Sequence, residues 1–116
     1  MHQKRRDRLE TALGDLEAEF RTRLIEALRR CERGAWGLFG QNDHIDPGRM
    51  RDEAYASSGA QKLDELGSEI TQIREELGMT EPYSLHAQFL EKRSLKGQNA
   101  LGEARLASAW LQELNV

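Results

Sequence analysis

Residues 9–31 read LETALGDLEAEFRTRLIEALRRC, and the reading of this stretch decides the fold. Leu9, Leu13, Leu16, Phe20, Leu24, Ala27, Leu28 and Cys31 recur mostly at steps of three and four. An α-helix turns ~100° per residue, so this spacing lays them on one face and leaves Arg and Glu on the other. Strands are not expected anywhere in the chain. β-Branched residues are rare, and no segment alternates apolar with polar for long. The periodicity predicts a helix from about residue 3 to about residue 33, stopped by Gly34. Such a helix far exceeds the ~12-residue mean, which points to a long hairpin or to a helix shared with a second subunit.

Working outward, residues 34–48 read GAWGLFGQNDHIDPG, a glycine-punctuated connection. Asp46-Pro47 restarts a helix: the aspartate accepts from free N–H groups of the first turn, and proline suits the first helical position. The second helix is expected to run to about residue 77 on Met50, Ala54, Leu63, Leu66, Ile70, Ile73 and Leu77. Ser57-Ser58-Gly59 predicts a kink, or a break with Ser58 as a new cap. Gly78 is the expected stop. Thr80-Glu81-Pro82 should open a third helix with Leu85, Phe89 and Leu90 on one side, followed by a turn at Lys96-Gly97-Gln98-Asn99. The final helix carries Leu101, Ala104, Ala107, Trp110, Leu111 and Leu114. The expected fold is all-α: an antiparallel helical bundle of three to five helices, with two long helices joined by a Gly/aromatic loop. One helical domain spans residues 1–116. Gly14 and Gly67 interrupt helices at ~1 kcal/mol each. Gly67 lies beside the Leu63/Leu66/Ile70 stripe, where close approach of another helix, from this chain or a second copy, would require it.

The chain has 116 residues, 38% hydrophobic and 32% charged, as expected of one soluble globular domain. No apolar run nears the ~20 residues of a membrane span. The N-terminal MHQKRRDRLETALGDL is basic but lacks the apolar stretch of a secretory signal. Cys31 is the lone cysteine, so no intrachain disulfide or cysteine-based zinc site is expected, and a cytoplasmic protein of bacterial type is. The net charge of −3 is uneven: residues 1–33 sum to +2, residues 34–81 to −6 and residues 82–116 to +1. Only the first helix, with Lys4, Arg5, Arg6 and Arg8, offers a basic surface for nucleic acid. Its acidic residues interleave at helical spacing, as in Glu26–Arg30, and read as a salt-bridged helix surface instead.

Gly34-x-x-Gly37-x-x-Gly40 has the look of a phosphate loop, but such loops follow a strand and lead into a helix, and no Lys-Ser/Thr follows here. Asp43-His44-x-Asp46, with His86 as a distant recruit, contains metal-capable side chains. A site needs three or four ligands in fixed geometry, and Asp46 is already engaged as a cap, so neither metal nor cofactor is expected. His86, beside Leu85 and Phe89, reads as a half-buried packing histidine. Ser57, Ser58, Ser84 and Cys31 lack the context of nucleophiles, and the adjacent pairs Asp64-Glu65 and Glu75-Glu76 point ~100° apart, so no catalytic residue is assigned.

What remains is an apolar wedge, Trp36, Leu38 and Phe39, with a polar rim of Gln41, Asn42, Asp43 and His44. It is either the plug of the bundle end or a partner-binding surface, since tryptophan is enriched in interface hot spots. The expected function is a non-catalytic protein–protein interaction module: a small acidic helical protein that binds another protein and self-associates as a homodimer. An inhibitor or immunity-type protein is one subclass. The rivals are a small-ligand or metal-binding enzyme using Asp43, His44 and His86, and a regulator touching nucleic acid through the basic N-terminus.

Overall fold

The apolar stripe of residues 9–31 forms the helix it predicts. The computed structural model of the chain describes residues 2–32, 47–94 and 104–116, with backbone alone for 47–60 and 93–94. These residues form four helices and no strand: α1 (Gln3–Glu32), α2 (Pro47–Glu76), α3 (Ser84–Ser94) and α4 (Ala104–Leu114). His2 caps α1. Its Nδ1 accepts from the Lys4 N–H at 3.3 Å, and its carbonyl accepts from the Arg6 N–H at 3.0 Å. Gln3–Asp7, Arg6–Glu10 and Glu19–Arg23 pair along the exposed side. Such pairs contribute ~0.2–0.5 kcal/mol each, so packing carries most of the stability of α1.

Leu13, Phe20, Leu24, Leu28 and Cys31 are buried as the stripe predicts, and Ile25 joins them. Ile25 sits ~100° round from Leu24. The buried arc of α1 is thus wider than one stripe, and α1 packs against both α2 and α4. Gly14 is exposed, and a Cβ there would meet nothing within 4 Å. Replacing Gly14 with Ala is therefore expected to stabilise the protein by about 0.5–1 kcal/mol and raise Tm by a few degrees. A melt followed by circular dichroism checks this; a lower Tm would mean the position is not open.

α2 starts at Pro47 as expected, but the break at Ser57-Ser58-Gly59 does not occur. Keeping Gly59 in a helix costs ~1 kcal/mol, whereas a break would leave several backbone groups without partners. Gly78 ends the segment with φ +79°; its N–H donates to the Glu75 carbonyl at 3.0 Å, and the Met79 N–H to that of Arg74 at 2.9 Å. Together these form a Schellman cap. α4 ends the same way, with Asn115 at φ 65° and bonds from Asn115 to Gln112 and from Val116 to Leu111.

α3 does not open at Thr80-Glu81-Pro82. It begins at Ser84, and the Tyr83 carbonyl accepts its first bond, from the Ala87 N–H at 3.0 Å. The tyrosine side chain is held on α1, and that sets the start. Leu90 also departs from expectation: Leu85 and Phe89 are buried, but Leu90 is 44% exposed. Leu90 sits ~100° beyond Phe89, past the edge of the covered face. On α4, Ala107, Trp110 and Leu111 are buried while Ala104 is exposed. The expected turn at 96–99 and Leu101 lie outside the described residues.

Arg5 near the start of α1 meets Glu76 at the end of α2 (3.2 Å), Glu17 meets Arg74, and Phe20 and Gly67 share contact with His86. Positions rise along α1 as they fall along α2, so the two long helices run antiparallel. The core holds no charged or polar side chain among the described residues. Helices of 30 residues, ~45 Å long, set the long dimension of the 55 × 27 × 24 Å bundle.

Candidate functional site

The polar contacts between helices concentrate where α1, α2 and the start of α3 meet. The Glu17 carboxylate accepts from Arg74 Nη1 at 2.6 Å, and the Glu17 carbonyl accepts from the Tyr83 hydroxyl at 3.0 Å. Arg74 Nε donates to the Glu81 carbonyl at 3.2 Å, and its guanidinium lies 6.0 Å from the Tyr83 ring centroid. A planar fork of five donors lets one arginine tie α1 to the α2–α3 connection. The Arg74 and Glu17 side chains are 15% and 24% exposed, against 61% and 48% for Arg5 and Glu76. Water and salt therefore screen the Glu17–Arg74 pair less.

Burial pushes the Tyr83 hydroxyl above the ordinary phenol value; the Glu17 carboxylate pushes it further, and Arg21 and Arg74 pull it back. With the folded value above the unfolded value of about 10, the native state holds its proton longer than the unfolded chain. The stabilisation is complete below that unfolded value and is lost as pH rises through the folded one. Denaturation midpoints measured between about pH 9 and 11 should fall more steeply in the wild type than in Tyr83→Phe. Equal slopes would remove Tyr83 from this linkage.

Beside this junction, Gly67 forms a notch in α2. A Cβ there would overlap the edge of the His86 imidazole. The close approach expected at Gly67 is thus real, but what approaches is a side chain of α3. The half-buried His86 ring stands edge-on to Phe20, with centroids 5.8 Å apart, which is the packing role expected for it. Tyr83 and Phe89 meet the same phenylalanine edge-on at 5.8 and 6.1 Å. Positive ring edges against negative ring faces favour such crossings. On the far side of α3, Trp110 Nε1 donates to Gln88 Oε1 at 3.0 Å, and Lys92 Nζ lies 5.1 Å from the indole. A cleft of about 150 Å³ lies between the end of α2 and the α2–α3 connection, bordered by Thr71, Arg74, Met79 and Pro82. Small-molecule sites take ~300–1,000 Å³, so this one suits a few waters or one intruding side chain.

Trp36, Leu38, Phe39, Gln41, Asn42, Asp43 and His44 lie outside the described residues, as do Gly34, Gly37, Gly40 and Asp46. Cys31 is buried in the core. Ser84 accepts from Gln88 Nε2 at 3.1 Å. In the basic N-terminus, Arg5 pairs with Glu76 and Arg6 with Glu10. Among the described residues, no three of His, Cys, Asp and Glu converge as metal ligands, and no helix is long and apolar enough to cross a membrane. Sequence reasoning missed the Glu17–Arg74–Tyr83 junction. Its only local signal is that Glu17 and Arg74 each follow a stripe residue, Leu16 and Ile73, at the shoulder of a buried face.

Helix packing and junction together define an all-helical bundle protein. No protein-family model, curated protein or solved structure matches the chain.

Proposed function

We propose that residues 1–116 form a single antiparallel bundle domain, its long helices joined through the Gly/aromatic segment 34–45, and that it acts by binding another protein without catalysis. The binding surface in this reading is Trp36, Leu38 and Phe39 with the rim Gln41, Asn42, Asp43 and His44. The observation that supports it is where the described aromatics sit. Tyr83 and Phe89 both stand edge-on to the fully buried Phe20, and Trp110 is buried and bonded to Gln88, so the described core has its own aromatic packing. A further tryptophan and phenylalanine in a glycine-rich segment then fit an anchor with a polar rim. The rival use of His86 in a ligand site has that ring packed on Phe20 and over Gly67. A cytoplasmic inhibitor or immunity-type protein is the subclass that a small acidic binder fits, and self-association as a homodimer belongs to the same proposal.

Trp36→Ala and Phe39→Ala, made singly, test the surface. Partner capture from host extract, read by mass spectrometry, should fall while Tm barely moves. A Tm drop of many degrees, as for loss of a buried aromatic at ~3–5 kcal/mol, would make the segment a plug instead. Light scattering after size exclusion should give about twice the 13.3 kDa chain mass, and a monomer at every concentration would remove the homodimer.

A further inference from the structure

We draw no further inference here: the strongest candidate, the outward face of α1 where Thr11, Ala12, Asp15, Ala18 and Thr22 line two shallow depressions between Asp7 and Glu26, is an unpartnered helix face, and nothing in the structure shows what covers it.

Discussion

Replacing Phe20 with Ala is expected to destabilise the protein by about 3–5 kcal/mol, a large share of the ~5–15 kcal/mol that holds a typical domain together. The ring is fully buried, and Tyr83, His86 and Phe89 all stand edge-on to it. Tyr83 stands just ahead of α3, and His86 and Phe89 lie on it. Truncation therefore removes more than one side chain's burial: it leaves a cavity lined by three rings whose geometry was set by the missing face. An 11-residue helix is too short to persist without tertiary support. Hydrogen exchange should accordingly show amides of α3 losing protection well before those of α2. Urea denaturation gives the overall loss. A change below about 1 kcal/mol, or equal loosening of all helices, would mean that Phe20 is not the seat of α3.

Gly67→Ala comes next in size, and its sign is what makes it informative. Alanine is the better helix former by ~1 kcal/mol, so at an open position this change stabilises. At Gly67 the added methyl would occupy the space of the His86 ring edge. The imidazole must then swing aside and lose its contact with Phe20, and such overpacking costs roughly 1–3 kcal/mol. The same substitution made on a His86→Ala background should lose the penalty and turn neutral or favourable. The cycle then yields a coupling of about 1–3 kcal/mol between residues on different helices. Destabilisation by Gly67→Ala that persists without His86 would point to the backbone of α2 and overturn the notch.

The long helices were legible because their signals are local. The stripe from Leu9 to Cys31 repeats every turn, Pro47 fits a first helical position, and Gly78 supplies the positive φ of a helix end. What escaped reading depends on partners distant in sequence. Ile25 is buried beside the stripe and α1 has two neighbouring helices, neither of which periodicity along one helix can report. The start of α3 follows from a tyrosine bonded to a carbonyl 66 residues earlier, which outweighed the cap-and-proline signal at Thr80–Pro82. The fold position of Gly67 was readable, since a helical glycine in a core stripe implies close approach; that a histidine fills the space was not. Asn115 ends α4 in the left-handed region, where asparagine is tolerated but, unlike glycine, gives no firm signal. The Glu17–Arg74 pair joins positions 57 apart, and nothing in either neighbourhood selects the other.

The contact between α1 and α4 has a consequence for how the chain is made. Within this sequence α1 (Gln3–Glu32) is made well before the helix that packs against it, α4 (Ala104–Leu114), whose Ala107, Trp110 and Leu111 are buried. Until α4 is made, α1 lacks this neighbour, and exposed apolar helix surface on a nascent chain is what holdase chaperones recognise and what aggregates when synthesis stalls. Removing α4 would take that neighbour away from α1, so among the described helices α4 is the late-made closure of the packing around α1.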